Sequence, residues 1–446
     1  MKADFLNNLN RGHSPRLLKR VFGSICMLWI AVAIGQQTPA PAQVQPITIE
    51  GATAHLGNGK IIENSLIMFA DGKLTFVGDA KMKIARTGKV IDAKGQHVYP
   101  GLIAPAKPLG LVEIDAVRAT DDQDEIGGIL PHIRSLIAYN AESQVVESMR
   151  PNGVLLAQIT PQGGRISGTS SIVQFDAWNW EDAAVKTDDG IHLNWPNTFR
   201  RGRWWLGEPR GFQPNKDYQK DVKEVATFMA NAKAYDNDTA KEVNLAYAAM
   251  QGLFSGAQKL YIYAHGEKEI IDAITQAKAA GVAKIVLVGG YQAHKVASFL
   301  KEHNIPVLVR YSHTLPFFED DDYDFTYKLP KLLSEAGLLV ALQNTDDSNF
   351  ATRNLPFYAG HVAAQGLDKE KALELITGNT AKILGIDDTY GTLEVGKSAT
   401  LFISKGDALD MVGNQLSKAF IDGRDISLET HQTTLYKRYM GKYDGK

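Results

Sequence analysis

From Ile47 to about Val98, apolar and polar residues alternate in short runs, ITIEGATAHL, IIENSLIMF and KLTFVG, broken at Asn58-Gly59 and Asp71-Gly72. A period of two around such dipeptides predicts hairpins of half-buried strands, so this segment reads as a small antiparallel sheet. After residue 255 the rhythm changes. Continuous apolar runs LYIYA at 260, IVLVG at 285, PVLVR at 306 and GLLVALQ at 337 begin 21 to 31 residues apart, with helical segments between them. That spacing predicts βα units with parallel strands. In one connector, GEKEIIDAITQAKAAG, the residues Ile270, Ile274 and Ala277 share a helical face. A second amphipathic helix is predicted over residues 370–386, with Asp368 as its N-cap. Beyond it, GTLEVGKSATLFISKGDAL and KAFIDGRDISL return to hairpin chemistry, with Asp422-Gly423 as a turn. Strand-rich ends around a βα middle predict that the two ends build one domain together. Periodicity leaves open whether the parallel sheet is open or closed into a barrel.

The first residues follow neither rhythm. Arg11, Arg16, Lys19 and Arg20 precede the 15-residue run VFGSICMLWIAVAIG, which gives way to QQTPAPAQ. This reads as a cleaved secretory signal peptide over 1–35 and a linker over 36–45. Cleavage fits before Gln36, or later after Ala42. An uncleaved anchor is the alternative, although the run is shorter than the roughly 20 residues of a span. A periplasmic or secreted bacterial protein without a membrane span is therefore expected. The single cysteine, Cys26, lies in this run after Ile25, where a lipoprotein processing site needs a small residue. A mature chain would hold no cysteine, which excludes disulfides, thiolate nucleophiles and cysteine metal sites. Removing residues 1–35 takes away five Lys/Arg and one Asp, and moves the formal charge from -2 to -6. Nothing in that balance suggests nucleic acid as a partner. The 44% apolar and 22% charged composition over 446 residues suits one large soluble domain plus a smaller one.

Residues 176–258 carry WNWED and WPNTFRRGRWWLGEPRGF, and five of the six tryptophans fall between 178 and 205. Aromatic faces beside Arg200, Arg201 and Arg203 suit a carbohydrate or peptide platform. A lid packed by its own tryptophans is the other reading. In GGRISGTSS, Gly163 and Gly168 have the outer spacing of a phosphate loop, but Thr169 stands where Lys is required, so a Gly-rich turn is expected. No Gly-x-Ser-x-Gly elbow occurs. The acidic run EDDDYD lacks the ligand order of a calcium loop and reads as a solvated loop.

The order of segments resembles the metal-dependent amidohydrolase superfamily, especially imidazolonepropionase-like and dipeptidase-like members. The resemblance rests on VYPGLI at 98–103, NGV at 152–154, IYAHGEKEI at 262–270, NTDD at 344–347 and LITGNTAKILGIDDTYGTLEVGKSATLFI at 375–403. It implies an α/β fold, a (β/α)8 TIM-like barrel over 101–385 with an insertion at about 180–258. A small composite β-sandwich would form from 46–100 and 386–427, leaving a tail over 428–446. It also implies hydrolysis of a non-peptide C–N bond, amide or cyclic amide, or of a dipeptide, with chemistry at the C-terminal ends of the barrel strands.

The family's first-strand pattern, PGLIDxHxH, would supply ligands for an ion that ionises bound water. Here those slots hold Ala104, Ala106 and Pro108, and Lys107 beside them would repel a cation. At the fifth strand Tyr263 takes a ligand position, while His265 matches the next histidine of the pattern. At the sixth strand the expected histidine is replaced by Gly289 and Gly290. At the eighth, Thr345-Asp346 matches the family's ligand and proton shuttle. The resemblance thus assigns catalysis to Asp346 and His265. A rebuilt site for one Zn²⁺ could use His265, His313 and Asp346; no metal at all is the alternative. Arg353, Arg165 and Tyr263 are candidate contacts to a small-molecule or short-peptide substrate, and the arginines could equally serve structural ion pairs. A non-catalytic barrel acting as a binding module or as partner subunit of an active relative, in a homo- or hetero-oligomer, is the competing reading.

Overall fold

Eight strands form the central sheet, numbered here in chain order: β1 (Leu102–Lys107), β2 (Val154–Ile159), β3 (Ile166–Gln174), β4 (Ala184–Asn194), β5 (Lys259–Ala264), β6 (Ile285–Gly289), β7 (Val307–Val309) and β8 (Val340–Leu342). They neighbour one another in sequence order from β1 to β8. The computed structural model describes residues 38–202, 204–235, 243–310, 312–343 and 348–443, so the expected signal peptide lies outside the described residues. From Pro39 onward the chain is one compact unit.

The barrel departs from the expected (β/α)8 repeat at one place. β1 pairs parallel with β2, and β4 to β8 run parallel, but β3 is antiparallel to both its neighbours. The cause is local. Only residues 160–165 join β2 to β3, whereas a parallel crossover needs about a dozen or more. Gly163 and Gly164, with φ of 79° and 58°, turn the chain there, as the Gly-rich reading expected. The domain expectation is corrected at the same place: Ala184–Asn194 is a barrel strand, so the insertion follows Asn194 instead of starting near 180. It contains a hairpin of Phe199–Arg201 and Phe212–Pro214 and the helix α1 (Tyr218–Tyr235).

The connector after β5 folds as predicted, into α2 (Glu267–Ala279), burying Ile270, Ile274 and Ala277. Helix α3 (Leu355–Ala364) follows β8. The helix predicted over 370–386 is two, α4 (Lys369–Glu374) and α5 (Gly378–Leu384), with Asp368 capping α4 through Lys371 N–H at 3.1 Å. Thr377, at φ -134° and ψ -99°, breaks it. The break closes the barrel: Leu342 N–H donates to the Leu375 carbonyl at 2.9 Å, and Ile103 N–H to that of Ile376 at 3.0 Å. A loop thus laces the seam between β8 and β1.

Both chain ends build the sandwich. His97–Pro100 lies between Leu401–Ser404 and Thr53–His55 in a six-stranded sheet, and Ile47–Glu50 lies in a four-stranded one. Ile49, Phe69, Val98, Leu401 and Phe420 form its core. Asp71-Gly72 and Asp422-Gly423 turn with positive φ at both residues, the backbone that matches strand twist in two-residue hairpins.

Two buried polar contacts tie the parts together. Asp176 accepts from Arg150 at 3.3 Å, from Arg424 at 2.7 Å and from Ala40 N–H at 2.9 Å. His55 contacts Glu370 of α4 at 2.7 Å and His97 at 3.0 Å, with Tyr99 stacked on its ring.

Candidate functional site

VYPGLIAPAKPLG brings the chain from the sandwich into the barrel and then bends. Ala104 pairs with Ala157 and Lys107 with Ile159, so β1 carries one residue more than β2 over this step. Ala106 absorbs the bulge with φ of 54°. A non-glycine residue there costs roughly 1–2 kcal/mol, and the surrounding bonds hold it: Ala106 N–H donates to Gln158 Oε1 at 3.0 Å, and its carbonyl accepts from Gln343 Nε2 at 2.5 Å. Bulges of this kind re-aim a side chain. Here the side chain is Lys107, almost fully buried, and it lines a cavity of about 280 Å³ at the barrel mouth. Tyr263, Arg310, Gln343 and Asn349 line the same cavity.

A polar column runs down the barrel interior from this cavity. Tyr263 Oη contacts His192 Nδ1 at 3.1 Å, and His192 Nε2 contacts Ser170 Oγ at 2.8 Å. Gln158 Nε2 donates to Ser170 at 3.1 Å and to Asp189 at 2.9 Å. Asp189 also receives Tyr261 Oη at 2.5 Å, Lys186 at 2.9 Å and Lys259 at 3.2 Å. Burial holds the His192 imidazole down to about 3, against a smaller upward pull from Asp189. Burial also pushes the Tyr263 phenol well up, opposed by the charge of Arg310. Both groups are neutral near pH 7. The column makes Tyr263 a fixed polar group in the cavity, since buried polar chains are rigid when every member is satisfied.

The residues expected from sequence do not all converge. His265 is half-buried beside β6, with its Nδ1 shielded from solvent: a Cβ added at Gly289 would lie 2.2 Å from its Cε1 and 2.5 Å from its Nδ1. Its imidazole is held down to about 4, first by burial and then by Arg310, with Glu269 opposing. His313 stacks on His361 of α3, their Nδ1 atoms 3.0 Å apart, and meets Tyr327 edge-on. It does not line the cavity. Arg165 donates to the Asn194 carbonyl at 3.0 Å and pairs with Asp221 of α1 at 3.4 Å, the structural use. Arg353 is exposed on the 3₁₀ turn Asn349–Asn354 and does not line the cavity either. Asp346 lies outside the described residues. Arg310, Asp124, Gln343 and Asn349 line the cavity without having been singled out from the sequence; of these Arg310 carried a signal, a charge directly after the apolar run of β7.

These side chains do not fit the family's metal centre. Ala104 and Ala106 offer no donor atom, Lys107 brings an ammonium to the same mouth, and the His265 ring fills the space that a ligand on Gly289 would need. Among the described residues, no group of three His, Cys, Asp or Glu side chains could hold a metal ion. What the cavity offers is two cations, a neutral phenol, side-chain amides and, at its edge, the Asp124 carboxylate, which is paired with Arg118 at 3.2 Å; the cations and amides suit carbonyl and carboxylate oxygens.

Residues 222–427 match the model of the amidohydrolase family. No curated protein matches the sequence. Among solved structures, an amidohydrolase from Thermotoga maritima MSB8 superposes with a TM-score of 0.73 at 22% identity, over 85% of this chain and 99% of that one. A Xaa-Pro dipeptidase with methionine bound in its active site gives 0.51 at 15%, over 86% and 100%. An adenosine deaminase from Xanthomonas campestris with bound zinc gives 0.51 at 14%, over 91% and 99%. These likenesses bear on the fold, a barrel with a sandwich shared by both chain ends, and over residues 222–427 the sequence itself is similar to the amidohydrolase family.

Proposed function

We propose that this chain is an exported hydrolase that cleaves an amide, cyclic amide or dipeptide C–N bond at the barrel mouth, with a reduced metal complement of at most one divalent ion. The observation that carries the reading is the cavity holding Lys107, Tyr263 and Arg310 at the C-terminal strand ends, where chemistry sits in such barrels. Asp346 is assigned the general base. Gln343 and Asn349, on either side of it in the chain, both line the cavity, which supports that role. In the step, Asp346 takes a proton from water as its oxygen adds to the carbonyl carbon. The C–N bond then breaks as that proton passes to the leaving nitrogen. Lys107 and Arg310 hold the carbonyl oxygen as it gains charge, or a carboxylate of the substrate. His265, the other candidate from the family pattern, does not line the cavity and its imidazole is held down to about 4, so no proton transfer in this step is assigned to it.

Purified protein assayed against N-acyl amino acids, cyclic amides and dipeptides should hydrolyse at least one class. Asp346→Asn should abolish turnover, and Lys107→Met should lower it by about 10²–10³-fold. Bound metal is measured directly on protein purified without chelator, together with the thermal shift on adding Zn²⁺ or Mn²⁺. Finding neither metal nor shift would remove the metal from the reading. A second reading, a binding barrel in partnership with an active relative, is favoured by Ala104 and Ala106 in the ligand slots. Co-purification of a stable partner chain with no turnover on the whole panel would replace the first reading by the second.

A further inference from the structure

The hairpin of Phe199–Arg201 and Phe212–Pro214 forms a two-stranded sheet by itself, joined to neither the barrel nor the sandwich sheets. Phe199 and Phe212, on one face of the ribbon, and Trp204, Trp205 and Leu206 in its connecting turn are 54–66% exposed, so that face and the tip are uncovered. Isolated two-stranded hairpins are marginal in water, and a contiguous apolar patch of this kind marks an interaction surface. Its charge is equally one-sided. Residues 199–214 contain four arginines and one glutamate, Glu208, which pairs with Arg200 at 3.1 Å. Arg210 stacks over Trp204 at 5.3 Å, and Arg201 and Arg210 line an open concavity of about 640 Å³ beside both tryptophans.

We infer that this hairpin docks the protein onto an anionic phospholipid surface. Bulky aromatic tips ringed by arginine suit the boundary between headgroups and acyl chains, where Trp settles and Arg meets phosphate. The geometry disfavours a polysaccharide platform: the Trp204 and Trp205 rings stand at 85°, so they do not present one flat face to stacked sugars. Outside the leader the chain carries a formal -6, so an anionic surface repels most of the molecule and attracts this cationic strip. Docking is therefore oriented and salt-sensitive.

The test is co-sedimentation of the full chain with vesicles of phosphatidylglycerol and phosphatidylethanolamine, against phosphatidylcholine alone. Trp204→Ser/Trp205→Ser and Arg201→Glu/Arg210→Glu are compared with the parent chain, so any contribution of the N-terminal apolar run cancels. Parent protein should bind the anionic vesicles and release at high salt. The tryptophan variant should lose binding, and affinity should fall about five-fold for each arginine neutralised, and further on reversal. All substituted positions are exposed, so an unchanged melting temperature checks folding. Equal binding to both vesicle types, or variants that bind like the parent, would overturn the inference. So would a concentration-dependent dimer, broken by the tryptophan variant, in a protein that ignores vesicles; that result would assign the hairpin to a second copy of the chain.

Discussion

Gly289→Ala is the sharpest perturbation at the end of β6, because one methyl group meets one ring. Gly289 has φ of 98°, and its added Cβ would fall 2.2 Å from His265 Cε1. Two costs combine. An L-residue with positive φ costs roughly 1–2 kcal/mol, and forcing the half-buried imidazole aside costs roughly 1–3 kcal/mol more. Gly290→Ala is the internal reference: its φ is also positive, at 62°, but the nearest atoms to its Cβ are 3.2 Å away. It should show the first cost and only a smaller packing cost, since its neighbours need give by a few tenths of an ångström. Urea unfolding followed by circular dichroism gives the differences. Adding His265→Ala to Gly289→Ala should recover the steric part, as a coupling of about 1–3 kcal/mol in a double-mutant cycle. Strict additivity, or a Gly289→Ala no worse than Gly290→Ala, would refute the placement of His265 against β6.

Three further outcomes follow from the buried polar groups. Tyr263→Phe removes the partner of His192 Nδ1 and should cost about 1–3 kcal/mol in urea unfolding, alongside a loss of turnover. His192 and His265 titrate near 3 and near 4 in the folded chain, below the ordinary 6.5, so the unfolded chain binds more protons between those values. Their stabilisation is complete above about pH 6.5 and declines as pH falls towards 4 and then 3; unfolding midpoints across that window should decline less steeply in His192→Gln. His97 at the sandwich junction adds the same sign, held low by burial and then by His55. Asp176→Ala removes a buried carboxylate shared by two guanidinium groups and should cost about 3–5 kcal/mol, whereas Lys418→Ala, at an exposed pair with Asp425, should cost about 0–1 kcal/mol.

Much of the architecture was legible because its signals are local. Asp71-Gly72 and Asp422-Gly423 need positive φ at both residues, and the runs of β5 to β8 are apolar because parallel strands are buried on both faces. β3 was illegible for the opposite reason. ISGTSSIVQ is fully buried yet rich in hydroxyls, and those hydroxyls are satisfied inside the barrel, by Gln158 and His192 at Ser170 and by the Pro131 carbonyl at Thr169. No pattern of hydropathy reveals such pairing. The break at Thr377 was hidden because Leu375 and Ile376 fit the apolar face of a continuing helix while their carbonyls serve the strands. At the site, sequence located Tyr263 and His265 at the end of β5 but read Lys107 only as a charge hostile to metals. Its inward aim depends on the bulge at Ala106, a backbone choice that composition does not encode.

The lacing of the barrel seam by Leu375 and Ile376 sets a timetable for the nascent chain. Ile103 emerges early, but its hydrogen-bond acceptor is the carbonyl of Ile376, and the strand Leu401–Ser404 that flanks His97–Pro100 emerges later still. At about 5–20 residues per second, the wait is on the order of tens of seconds. Through that interval β1 and the half-built sandwich present open edges, which are templates for wrong pairing. The exposure ends only when the last sixth of the chain arrives, so truncations before Leu401 should leave two unfinished sheets at once and yield aggregates in place of a smaller folded barrel.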